Sequence, residues 1–114
     1  MTQEEKQLLL KDICARLPYG VKFQGEDSNV YTLDAANYFA LQVEDVVFKP
    51  FLRSLSSMTE EERKYYNALV QSVRDGETYE YEVVDWLNKR HFDYRGLIPM
   101  GLALEAPEGM YKKD

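Results

Sequence analysis

A chain with one cysteine and one histidine has little from which to build a metal centre or a cysteine–histidine catalytic pair. Cys14 alone excludes an internal disulfide and a thiolate zinc site. It stands among apolar positions of a helix and is expected to be a buried, inert thiol. His91 could join only carboxylates, and the nearest is Asp93, a spacing that is a weak metal signal. No metal and no cofactor is expected. The glycines are scattered, and neither G-x-x-x-x-G-K nor G-x-G-x-x-G occurs, so a phosphate-cradling loop is excluded. There is no G-x-S-x-G elbow, and Ser56, Ser57 and Thr59 stand in a helix-cap sequence where hydroxyls serve backbone N–H groups. Apolar runs fall well short of the roughly 18 residues of a membrane span. The opening MTQEEKQLLLKD has acids where a secretion signal needs bases, so a cytoplasmic protein without a membrane partner is expected. Positive charge is also short: 14 Lys and Arg against 20 Asp and Glu leave a net −6 with no basic stripe. Direct nucleic-acid binding, which runs on clustered cations, is not expected.

What the chain does have is tyrosine. Nine of its 114 residues are Tyr, within a 13% aromatic share. Tyr joins an apolar ring to a polar tip and suits both half-buried packing and protein contact surfaces. The length fits one domain, residues 1–114, with a core that needs no disulfide or metal. Carboxylates are plentiful, but paired-carboxylate hydrolysis needs a cleft that a domain this small seldom provides. Five acids fall between Asp75 and Asp85. Their spacing divides them between a turn and a helix start, which reads as a solvated face rather than a calcium loop.

Taken in order, Thr2 and Glu5 form a capping box opening a helix over about residues 2–16, with Leu9, Leu10, Ile13, Cys14 and Leu17 on one face. Leu17-Pro18 ends it. The period then falls to two: Val21 and Phe23 mark a first strand, Val30 to Leu33 a second and Tyr38 to Val43 a third, the last with Phe39, Leu41 and Val43 on one face. Turn residues at 25–28 and 34–37 make this a three-stranded antiparallel meander. Val46 to Phe48 adds a possible fourth strand, with Pro50 at its end or on an edge. Phe51 to Met58 is a connector. Thr59 and Glu62 form a second capping box before a helix over about 60–74, which Gly76 closes. A third helix runs from Thr78 to about Arg90, acids first and bases last, as the helix dipole favours. Leu102 to Leu104 is a short strand or an apolar tail on the core, and residues 107–114 are expected to be loose. The order specifies an α+β fold, with helices on one face of an antiparallel sheet.

The stretch VVDWLNKRHFDYRGLIPMGLALEAP, residues 83–107, holds the single Trp and the single His. Within it, His91, Asp93, Tyr94 and Arg95 mix rings, anion and cation at a helix end, and Tyr and Arg are favoured binding anchors. Two readings stand. These four residues form a partner-contact surface, or Phe92 and Tyr94 plug the core while Asp93 and Arg95 pair locally. Four blocks, MTQEEKQLLLKDICARLPYGV, KPFLRSLSSMTEEE, WLNKRHFDYRGLI and GLALEAPEGMY, together resemble a family of short uncharacterised proteins of gut bacteria and their phages or mobile elements. That resemblance implies a cytoplasmic protein that binds a host or phage protein, and it carries no catalytic residue. The expected function is a non-enzymatic protein-interaction module, with a homodimer open. The alternatives are an acidic inhibitor or decoy of a host nucleic-acid-handling or defence system, and a small enzyme that gathers His91 with distant carboxylates.

Overall fold

The computed structural model describes residues 2–43 and 47–111. Helix α1 spans Gln3–Ala15 behind the Thr2–Glu5 capping box. A 3-10 turn at Leu17–Tyr19 leads to strands β1 (Lys22–Gln24) and β2 (Val30–Thr32). Helix α2 (Ala35–Val43) precedes strand β3 (Lys49–Leu52), and a second 3-10 turn leads into α3 (Glu60–Arg74) and α4 (Glu80–Lys89). Strand β4 (Leu104–Glu105) completes a four-stranded sheet of order β2-β1-β3-β4. The first three strands pair antiparallel, while β4 runs parallel to β3 because the α3–α4 hairpin forms the crossover between them. The fold is α+β, as the sequence indicates.

The expected third strand over Tyr38 to Val43 is instead α2. Its aromatic and β-branched residues favour a strand, but a reciprocal cap outweighs them. Asn37 N–H donates to Asp34 Oδ1 and Asp34 N–H to Asn37 Oδ1, both at 2.8 Å. Two residues of helix turn a side chain to the opposite side, so Leu41 is buried while Phe39 stays 65% exposed. Of the possible fourth strand, Val46 lies outside the described residues; the strand itself begins at Lys49 and takes in part of the expected connector.

Pro50 therefore sits inside β3, a strand with neighbours on both sides. The ladder explains how. Bonds from Gly25 N–H to Asn29 O and Leu33 N–H to Val21 O set the alternation, so that Phe23 turns its amide toward β2. Pro50 lies opposite Phe23, in a pair that exchanges no bonds with β1. Its missing N–H points the other way, where β4 pairs only from Phe51 onward.

Two apolar clusters hold the molecule. The first packs α1, through Leu9 and Ile13, against Val21, Phe23, Phe48, Leu52, Leu97 and Leu102. The second is Trp86, Leu87 and Phe92, flanked by Tyr66, Leu69 and Val83 from the α3–α4 hairpin. Residues 83–107 thus feed both. Cys14 is exposed rather than buried. The inward positions of α1 are taken by Asp12 and Arg16 beside Leu9 and Ile13, which rotates the expected face away from Cys14.

A candidate contact surface on the helical hairpin

The segment after α4 is built as a Schellman cap. His91 takes the left-handed backbone at φ 65°, its N–H bonds Asn88 O at 3.0 Å, and Phe92 N–H reaches back to Leu87 O at 2.9 Å. Glycine is the usual residue there, so the sequence gives no local sign of it. The chain then bridges to β3, through Arg53 N–H to His91 O and Asp93 N–H to Arg53 O.

This places the four candidate residues within a largely internal network. His91 and Asp93 are buried, while Tyr94 and Arg95 are partly so. Asp93 and Arg95 do not pair with each other. The Asp93 carboxylate accepts Leu97 N–H and Ile98 N–H, both at 2.9 Å, and so caps the turn that follows. Arg95 reaches Asp12 of α1 at 2.8 Å and the Tyr94 hydroxyl at 2.8 Å, and that hydroxyl in turn bonds Asn88. Asp12 also binds Arg16 in a two-point pair, at 2.9 and 3.1 Å, with neither side chain exposed. Arg16 donates further to Phe92 O at 2.7 Å, while its Nη1 is buried without a partner.

His91 stacks on Tyr111, ring centres 3.8 Å apart. Burial, reinforced by the positive charges of Arg16, Arg53 and Lys22, holds its imidazole neutral down to about 4. The Tyr111 hydroxyl lies between two strands. Lys22 N–H donates to it at 2.7 Å and it donates to Phe51 O at 2.7 Å. Lys22 and Phe51 are the next pair in the β1–β3 register, so a phenol replaces a ladder bond. Burial pushes Tyr111 up to about 12. Of the segment 107–114 expected to be loose, Tyr111 is anchored in this way, and 112–114 lie outside the described residues.

The outer surface of the hairpin differs in kind. No residue of α3, fifteen residues long, is fully buried. Its Tyr65, 53% exposed, lies 5.3 Å from Trp86, which is only 9% exposed. Behind Trp86 the stack continues through Phe92 at 5.7 Å to the Arg53 guanidinium, 4.3 Å above the Phe92 ring. Arg53 is fixed in turn by Glu62, at 2.6 and 2.9 Å, which draws that carboxyl down to about 2. Two open grooves, of about 1120 and 850 Å³, meet at this ridge, and Tyr65, Trp86 and Lys89 line both. Nearby, Tyr79, Tyr81 and Val84 are exposed. The acids Asp75, Glu77, Glu80, Glu82 and Asp85 are exposed as well, with no Lys or Arg between Arg74 and Lys89. Trp86 and these acids stand out in the sequence, whereas the exposure of Tyr65 does not.

Among the described residues no group of three or more His, Cys, Asp and Glu side chains could hold a metal ion, and no helix is long and apolar enough to cross a membrane. Comparisons with protein-family models, curated proteins and solved structures returned no match. The resemblance to gut-bacterial and mobile-element proteins therefore rests on its four sequence blocks alone.

Proposed function

We propose that this chain is a non-enzymatic protein-interaction module whose contact surface is the outer face of α3 and α4, centred on Tyr65 and Trp86. The observation that supports it is the half-open aromatic ridge between two grooves, on a helix that the rest of the fold leaves without a fully buried residue. Trp and Tyr are the residue types most enriched where binding energy concentrates. Here Trp86 is held in place by Tyr66 and Phe92, so it loses little freedom on contact. Of the residues first expected to bind, His91 and Asp93 are occupied inside the fold, Tyr94 packs against the second cluster, and Arg95 bonds Asp12 and the Tyr94 hydroxyl. The test is affinity capture with the wild type and with Tyr65→Ala. The variant should fold normally and lose its partner. A folded Tyr65→Ala that retains every wild-type partner would refute the reading.

A second reading, an acidic inhibitor of a host nucleic-acid-handling or defence protein, is favoured by the clustering of exposed acids from Asp75 to Asp85. On that reading the partner's nucleic-acid site is basic, and capture should weaken steeply as salt rises, because exposed charges are screened over about 8 Å at physiological ionic strength.

A further inference from the structure

The grooves that meet at Tyr65 and Trp86 are aromatic at the centre and negative at the walls. Arg53 and Glu62 satisfy each other. What remains on the walls is Glu61, Glu82, Asp85, Glu105 and Glu108 against Lys89 and Arg90. Three of these acids already have bonds of their own, Glu82 to Tyr79 N–H, Asp85 to the Tyr19 hydroxyl and Glu105 to the Ser54 hydroxyl, yet each keeps its charge and further acceptor capacity. A neutral apolar partner would strand these carboxylates in a dry interface, which is costly. An acidic partner would be repelled. A guanidinium or ammonium side chain avoids both outcomes, since it can lie against the Tyr65 and Trp86 rings while its N–H groups reach the wall carboxylates. Arginine fits better than lysine, because its flat, weakly hydrated group stacks on a ring and takes a carboxylate at two points.

We infer that this surface takes an arginine-bearing segment of a partner protein, with one guanidinium laid against the Tyr65–Trp86 ridge and others paired to the groove carboxylates. The inference rests on the contact reading above and adds the partner's chemistry to it. It also gives Asp75, Glu77 and Glu80 a secondary place: they draw a basic chain toward the hairpin, while the groove acids, Glu82 and Asp85 among them, and the rings hold it.

Trp86 is the single tryptophan of the chain and lies at the ridge, so its fluorescence reports occupancy directly. The probe is a synthetic ten-residue peptide of alternating Arg and Ala, titrated at physiological salt beside its Lys–Ala and Glu–Ala counterparts. The Arg peptide should bind saturably, more tightly than the Lys peptide, and the Glu peptide not at all. Tyr65→Ala should weaken Arg-peptide binding at least about tenfold. Glu61→Gln with Glu108→Gln, which neutralises two groove acids, should weaken it more than Glu4→Gln with Glu60→Gln. That control removes the same charge from exposed positions outside the grooves. Equal effects of the two pairs would reduce the binding to general charge attraction and overturn the inference. So would equal affinity for the Arg and Lys peptides, or no response of Trp86. If Tyr65→Ala abolishes capture of a cellular partner while the Arg peptide fails to bind, the contact surface stands and its assigned chemistry falls. If Tyr65→Ala affects neither, both fall.

Discussion

Tyr111→Phe removes one oxygen and leaves the ring, so it isolates the part of the C-terminal segment that substitutes for a β-ladder bond. In the wild type that oxygen accepts Lys22 N–H and donates to Phe51 O, each at 2.7 Å, while the ring stacks on His91 at 3.8 Å. Phenylalanine keeps the stack. It leaves one backbone donor and one backbone acceptor facing each other across a gap that the hydroxyl used to fill. Each unsatisfied buried group costs about 1–3 kcal/mol. Partial access of water at this part-buried site reduces that, so the expected loss is about 2 kcal/mol. If β1 and β3 could close and bond directly, most of the loss would vanish, but the ring would have to leave its seat against His91. Urea unfolding of wild type, Tyr111→Phe and Tyr111→Ala measures both components, with Ala also losing the stack. An unfolding free energy for Tyr111→Phe within about 0.5 kcal/mol of wild type would refute the account of the hydroxyl as part of the sheet. An independent check lies at high pH. Because the folded phenol ionises at about 12 against 10.0 for the free group, the folded state holds its proton longer. Stability therefore falls as pH rises through that interval, and Tyr111→Phe should remove this component of the decline.

His91 gives the opposite window: its folded value of about 4 lies below the ordinary 6.5, so the unfolded state binds the proton first and stability falls as pH drops from 6.5 to 4, by up to about 3 kcal/mol. His91→Asn, which tolerates the left-handed backbone, should flatten that slope in pH-dependent urea unfolding. Glu62 loses its pairing with Arg53 only between 4.5 and about 2, so the two groups are separable on the same curve. Asp12→Asn should cost about 3–5 kcal/mol by calorimetry, because it leaves the fully buried Arg16 without its anion. Arg95→Ala should cost about 1–3 kcal/mol rather than the near-zero of an exposed pair, since Arg95 is the second partner of a buried carboxylate. Thr59→Ala should cost about 1 kcal/mol through loss of the cap on α3.

The elements that local chemistry determines were legible: both Thr–Glu capping boxes, the β1–β2 hairpin and the limits of α3 match the sequence reading. So was the central place of residues 83–107, whose apolar side chains supply both cores. What failed did so for identifiable reasons. Alternation over Phe39, Leu41 and Val43 resembled a strand because three residues satisfy a period of two by chance, and the Asp34–Asn37 cap has Asn where the usual signature has Glu or Gln. Pro50 indicated an edge because the rule concerns N–H groups, and no sequence shows which way an N–H points. Cys14 and Asp12 exchanged roles because a buried carboxylate is expected only where a partner is visible. One partner, Arg16, was four residues away; the other, Arg95, was 83 positions along the chain.

That long pairing bears on function. Read locally, Asp93 and Arg95 offer a ready ion pair, and Tyr94 beside Arg95 resembles a binding anchor. Folding breaks that local pair: Asp93 turns to Leu97 and Ile98 N–H, and Arg95 crosses to α1. The two guanidiniums on Asp12 both lie near the Tyr94 ring, at 5.2 and 4.7 Å, so the features that suggested a surface serve to join α1 to the end of α4. This junction fixes α4, and α4 carries Trp86. The hairpin needs that support because α3 packs chiefly on α4 and has no fully buried residue of its own. Loosening the Asp12 network should therefore disturb the Tyr65–Trp86 ridge from the inside, without touching either groove. Arg95→Ala, if it folds, should weaken partner capture only to the extent that it shifts Trp86 fluorescence in the unbound protein. Lost capture with an unshifted Trp86 spectrum would return Arg95 to the contact surface itself.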